Sequence, residues 1–264
     1  MATAKKTASP STAVAVKKST SVVSVKEMMA AQLTAMTGKT APAGGNKIRV
    51  TQDKQFILPD GTKTPGPIQA VVLDFTSMNT WYENEFDKNT IVPPNCFAIG
   101  DIPTKLMPSA NSPDKQGDED GNCAGCPMNA WGSGKNGGKA CKNSRVLAVI
   151  VPGEDTTPED APIWTIQTSP TAIKGFDGYV KNVQRMFGTP PIGVVTSISF
   201  DENQTYATLV FSDPVPNEDV GACFGRLEEA REVLATEPDV SSFGQQAAPA
   251  KKAAPARRPA TARR

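Results

Sequence analysis

The 264 residues carry 28 Lys and Arg against 27 Asp and Glu, but the net charge of +1 hides an uneven distribution. Residues 1–46 hold six Lys and one Glu and residues 245–264 hold six basic residues and no acid, so residues 47–244 keep 16 basic and 26 acidic groups, a balance of −10. No stretch reaches the ~18 apolar residues of a membrane span, no apolar h-region follows Lys5 and Lys6, and the absence of histidine removes the commonest metal ligand and proton shuttle.

The composition divides the chain into three parts. Residues 1–46 and 245–264 lack the aromatics a core needs and read as disordered basic arms around an acidic body, 47–244. Within the first arm, Val25, Met28, Met29, Leu33 and Met36 fall at helical spacings, which predicts a short helix over Val25–Met36. Gly38 to Asn46 reads as a linker.

The body opens with strand-like segments at Lys47–Thr51 and Gln55–Leu58, the second running into a tight turn at Pro59-Asp60-Gly61. Ile68 to Phe75 is a nearly continuous apolar run, the pattern of a central strand buried on both faces. Asn79 to Asp87 mixes three aromatics with three acids. Pro93-Pro94 then bars a helix before a short extended piece at Cys96–Ile99. Residues 101–122 show no periodicity and form a long loop.

Four of the five cysteines follow the pattern Cys96-x26-Cys123-x2-Cys126-x14-Cys141. The Cys-x2-Cys pair is half of a metal knuckle, Cys96 and Cys141 supply the other half, and the odd, clustered count argues against a secreted disulfide framework. Zinc is the default occupant of such a site, a structural role needing no open position. An iron-sulfur cluster, which also takes four thiolates, is the alternative, with Pro127 directly after Cys126 in its favour. Reduced thiols packed without metal are a third reading. A catalytic metal lacks a convincing base, because Asp118, Glu119 and Asp120 sit among glycines in a solvated loop.

Between Cys126 and Cys141 lies a glycine-rich run, Gly132 to Lys139. It is not a phosphate-binding P-loop: Ser133 stands where the first glycine belongs and Ala140 where Ser or Thr belongs. Its glycine amides, together with Lys135, Lys139, Lys142 and Arg145 and the flat face of Trp131, nonetheless suit phosphates and bases. The plainer reading is that the glycines let the chain wrap a metal while the lysines keep it soluble.

Further strands are expected at Arg145–Val151 and Ile163–Thr168. Ser169-Pro170 marks a helix start, and Ile173, Phe176, Val180, Val183 and Phe187 recur at 3-4-3-4 spacing until Gly188-Thr189-Pro190-Pro191. Ile192–Phe200 and Thr205–Ser212 flank Asp201 to Gln204 as a β-hairpin. A last helix runs from Val220 through Ala235, with Cys223 on its apolar stripe as core packing.

The series Pro93 to Cys96, Cys123 to Asn129, Trp131 to Gly134 and Lys139 to Lys142 resembles that of a group of tailed-bacteriophage proteins, mostly unassigned in function, over roughly residues 47–215. A looser similarity is to phage single-stranded DNA-binding proteins whose oligonucleotide-binding barrel carries an inserted zinc knuckle. The resemblance implies an α+β, β-rich body, an oligonucleotide-binding-like barrel or related sheet, with an inserted four-cysteine metal loop at 96–141 and two helices. It implies a non-enzymatic protein binding single-stranded DNA in phage replication or recombination, in the cytoplasm of an infected cell and alongside phage or host replication or transcription proteins. Candidate nucleic-acid contacts are Trp81, Tyr82, Trp131, Lys135, Lys139, Lys142 and Arg145. The rival reading is a structural or adaptor protein of a transcription or packaging assembly, using the metal site and arms for protein contacts. The basic tail departs from the acidic tail common in the second group.

Overall fold

A computed structural model describes residues 28–29, 46–84, 92–153 and 157–243. The chain divides into a unit of residues 1–45 and one of 46–264. In the first, Met28 and Met29 are helical and exposed; the rest of the expected Val25–Met36 helix, and the 245–264 tail, lie outside the described residues.

The second unit is α+β and strand-rich, built on an open, curled, mixed sheet. Its strands are β1 (Lys47–Val50), β2 (Phe56–Ile57), β3 (Lys63–Thr64), β4 (Ile68–Trp81), β5 (Cys96–Gly100), β6 (Lys142–Ile150), β7 (Trp164–Gln167), β8 (Val194–Phe200) and β9 (Leu209–Pro216). The hydrogen-bonded order is β3-β2-β1-β7-β6-β4-β8-β9, with β5 also on β4. All these pairings are antiparallel except β1 with β7. Among the described residues of this unit, three α-helices complete it: α1 (Ile173–Phe187), α2 (Val220–Gly225) and α3 (Leu227–Leu234).

Strand alternation explains the layering. Ala70, Val72, Leu147 and Val149 project to one face, where α1 lays down Phe176, Tyr179 and Val183. Val71, Leu73, Ala148 and Ile150 project to the other, beneath Cys223, Ala230 and Leu234 of α2 and α3. The centre of the sheet is therefore buried on both sides, as its uninterrupted apolar runs require. Cys223 is fully buried there, its sulfur accepting from Asn217 Nδ2 at 3.4 Å.

Three elements differ from the sequence expectation. Strand β4 does not stop near Phe75 but continues to Trp81, because β5 and β6 flank its second half and give its polar residues partners. Asn143 Nδ2 donates to Asn79 Oδ1 at 2.6 Å and Ser144 Oγ to the Met78 carbonyl at 3.1 Å. The second hairpin strand begins at Leu209, not Thr205, after a longer turn closed by Asp201 N donating to the Thr208 carbonyl. It runs on through Pro214 to Pro216, which an edge strand tolerates since no outer neighbour needs their N–H. The final helix is split at Arg226, whose guanidinium turns to the carbonyls of Pro158 and Ala161 and pairs with Glu229. Helix α1 ends as expected on Gly188, left-handed at φ 67°, whose N–H bonds the Gln184 carbonyl.

Candidate metal centre and its loop

The four clustered cysteines approach one small cavity from three directions. Cys96 opens β5, Cys141 directly precedes β6, and Cys123 and Cys126 bracket a turn that the 3-10 segment Pro127–Asn129 continues. In the sheet, Trp81 is opposite Cys96 and Thr80 is opposite Lys142, so the ends of β4, β5 and β6 coincide. All four cysteines line one cavity of about 10 Å³, walled by Trp81, Met128 and Asn129. That is close to the volume of a single water-sized sphere.

The long loop before Cys123 is anchored by more than sulfur. Ser112 Oγ donates to the Phe97 carbonyl and accepts from its N–H, both at 3.0 Å, and Asp114 N donates to the Asn95 carbonyl. Leu106 is buried against Ala98 and Cys123, and its carbonyl accepts from Cys123 N at 2.9 Å. Residues 106–114 thus line the outer edge of β5. Asp118 Oδ1 accepts from the N–H groups of Asp120 and Asn122, which makes it a loop-capping group.

The donor set fits a thiolate-bound ion in kind. All five cysteines are free thiols, and polar hydrogens already aim at two of the clustered sulfurs. Gln116 N donates to Cys96 Sγ at 3.3 Å. The Asn79 amide hydrogen-bonds Cys123, its oxygen being held by Asn143. Among the described residues, however, no three His, Cys, Asp or Glu groups stand in a geometry ready to hold an ion. The sulfurs would have to draw inward on binding.

Electrostatics describe the same site. Burial first, then Cys96, pushes the Cys123 thiol up to about 11, with Asn79 pulling the other way. Burial first, then the other three cysteines, pushes Cys141 up to about 12, and Lys139 opposes it. Both are neutral thiols at pH 7, so an ion taken up here must displace protons.

The glycine-rich tip folds on itself. Gly132 N and Gly134 N donate to the Gly138 carbonyl at 3.1 and 2.8 Å, Gly138 N donates to the Lys135 carbonyl, and Ala140 N donates to Ser133 Oγ. These four amides are spent within the loop and do not also meet a phosphate. Gly134 is required by proximity: a Cβ would sit 2.8 Å from the Lys139 and Ala140 backbone.

The seven expected nucleic-acid contacts separate into distinct settings. Trp131 is 80% exposed on the tip, with Lys139 Nζ 5.6 Å from its ring centroid and also 3.1 Å from Asn129 Oδ1. Lys135 and Lys142 are exposed, and Tyr82 lies exposed just past β4. Trp81 is half-buried as a wall of the cysteine cavity. Arg145 departs from the expectation of a phosphate contact. Its fork holds Asp177 of α1 through Nε at 3.2 Å and Nη2 at 3.0 Å, and Nη1 reaches Ser77. An Arg145→Gln substitution should lower stability by about 1–2 kcal/mol in chemical denaturation and leave oligonucleotide affinity within twofold; the reverse pattern would return Arg145 to the interface.

Sequence reasoning missed Asn79 and Asn143, which prepare the Cys123 sulfur. The available signal was an Asn placed between Met78 and Thr80 with no Gly or Pro nearby.

No protein-family model, curated protein or solved structure gives a significant match to this chain.

Proposed function

We propose that the protein binds single-stranded nucleic acid without transforming it, and that Cys96, Cys123, Cys126 and Cys141 hold a structural zinc ion that pins the binding loop to the sheet. The curled sheet is read as an oligonucleotide-binding type of platform. One observation carries the reading: Trp131 is presented almost fully exposed, beside a lysine, at the end of a loop whose base is four convergent cysteines. A folded body gains nothing from exposing its largest apolar ring, whereas a base gains a stacking face and a phosphate gains Lys135, Lys139 or Lys142. Bound zinc would supply loop rigidity and no reaction chemistry. From the likeness of the cysteine series to tailed-phage proteins, we assign the role to phage replication or recombination.

The basic arms will attract any polyanion, so the test must isolate the loop. In anisotropy titrations of a fluorescein-labelled dT12 with the full chain, affinity should fall as salt rises. Trp131→Ala should weaken it by about 1–3 kcal/mol at fixed salt. Equal affinity for Trp131→Ala and the parent would place the binding elsewhere than the loop and defeat this reading, in favour of a protein-contact role for the loop.

A further inference from the structure

A second cleft, remote from the cysteine cavity, is chemically suited to the same kind of ligand. It measures about 540 Å³ and lies where β1, the end of β7 and the turn before β9 meet. That volume is within the ~300–1,000 Å³ typical of small-molecule pockets. Lys47, Arg49, Gln52, Gln167, Ser169 and Tyr206 are among the residues lining it. Lys47, Arg49 and Gln52 are exposed, and Tyr206 is 50% exposed. Lys47 Nζ is held toward the cleft end of β7 by Gln167 Oε1 at 2.7 Å.

What distinguishes this cleft is its charge. Residues 47–244 have ten more acidic than basic groups, yet none of the described residues lining the cleft is acidic. The larger hollow beside α3, about 710 Å³, is lined by Asp74, Asp101 and Glu237 against the single Arg231. An anion is repelled from that hollow and drawn to the cleft. Two cations, side-chain amides and one exposed aromatic ring are the groups that meet a phosphate, the edge of a base and its face.

Position adds to chemistry. Gln167 pairs with Val146 and Trp164 with Val149, so β7 ends toward the Lys142 end of β6, where the cysteine loop begins. Strand β1 is parallel to β7, with Lys47 beside Thr165, so its Val50 end points the same way. The cleft and the Trp131 loop therefore share one end of the sheet. From Lys142 they are separated by four residues along β6, about 14 Å, and two strand spacings, about 10 Å.

We infer that this cleft binds a nucleoside phosphate unit, its base stacked on Tyr206 and its phosphate held by Lys47 and Arg49, supplied either as a free nucleotide or as one residue of a bound strand. The site shares its ligand class with the loop but stands on its own residues, so each can fail without the other.

The test compares Tyr206→Ala, Tyr206→Phe, Arg49→Gln and Trp131→Ala in the full chain, using labelled dT12 and, separately, AMP. Tyr206 and Arg49 are exposed, so these variants should melt with the parent. With the strand as source, Tyr206→Ala should weaken dT12 binding roughly tenfold and Tyr206→Phe hardly at all. Arg49→Gln should then reduce the slope of log affinity against log salt by about one. With the free nucleotide as source, AMP binds the parent and is lost in Tyr206→Ala and Arg49→Gln, whatever dT12 does. If Trp131→Ala weakens dT12 while the cleft variants match the parent and AMP does not bind, the cleft inference is overturned and the loop reading stands. If AMP binds through the cleft while Trp131→Ala leaves dT12 unaffected, the cleft stands and the loop reading falls. No binding of either probe overturns both.

Discussion

Cys126→Ser is expected to yield protein that has lost its metal and melts roughly 6–12 °C lower than the parent. The substitution changes little volume, and Cys126 is buried, its carbonyl accepting from Asn129 N, so on the proposed zinc reading the loss comes from removing one of the four sulfurs that would hold the ion. An ion contributing only about 3 kcal/mol to this body is a low figure for a structural zinc. At about 2–4 °C per kcal/mol for a domain of this size, that produces the stated shift. Elemental analysis should find about one zinc per parent chain and almost none in the variant. Cys223→Ser is the matched control: its sulfur, on α2, is fully buried against the sheet and α3, so it should lose stability without any change in metal content. A colourless parent excludes an iron-sulfur cluster, since zinc thiolates do not absorb visible light. A metal-free parent with an unchanged melting curve in Cys126→Ser would leave four packed thiols and nothing more.

Phe176→Ala should cost about 3–5 kcal/mol and lower the melting temperature by roughly 6–20 °C. Phe176 is fully buried where α1 meets the sheet. Its ring makes edge contacts with Phe75 of β4 and Phe211 of β9, both at 4.9 Å between centroids. Truncation therefore opens a cavity bounded by rigid rings on two strands, which cannot collapse to fill it. The denaturation midpoint should move with an unchanged slope. Phe224→Ala, at a ring 49% exposed on α2, should stay within about 0.5 kcal/mol. Unlike Cys126→Ser, Phe176→Ala should retain its metal, which separates damage to the core from damage to the centre. Equal stability for the two phenylalanine variants would mean that α1 does not close this face.

Much of this architecture was readable because it depends on local pattern. The 3-4-3-4 spacing placed α1 and Gly188 ended it, while the continuous apolar run of β4 announced a strand buried on both faces. The same reasoning overlooked Tyr179, which α1 buries with its hydroxyl 2.7 Å from Thr196 Oγ1; its polar atom hid it from a search for apolar positions. The polar half of β4 was invisible for a related reason. Thr76, Ser77, Asn79 and Thr80 are buried only because neighbours distant in sequence complete their hydrogen bonds, and among the described residues no buried side-chain N or O lacks a partner.

The candidate site divides along the same line. Cysteine number, spacing and the missing histidines named the four thiols and the chemistry they could support, since ligand identity is a property of residue type. Whether they converge was for the sheet to decide: the common end of β4, β5 and β6 brings Cys96 to the Cys-x2-Cys turn across 26 intervening residues. Tertiary contacts also reassigned side chains whose charge alone suggested a ligand. Arg145 turned inward because Asp177 came within reach, whereas Trp131 stayed outward with the half-buried Lys139 beside its ring. The cleft of Lys47, Arg49 and Tyr206 could not be seen in the chain, because its members come from segments far apart in sequence. Composition and periodicity determine what a segment can bury or bind; only long-range pairing decides which groups are spent on the fold and which remain for a ligand.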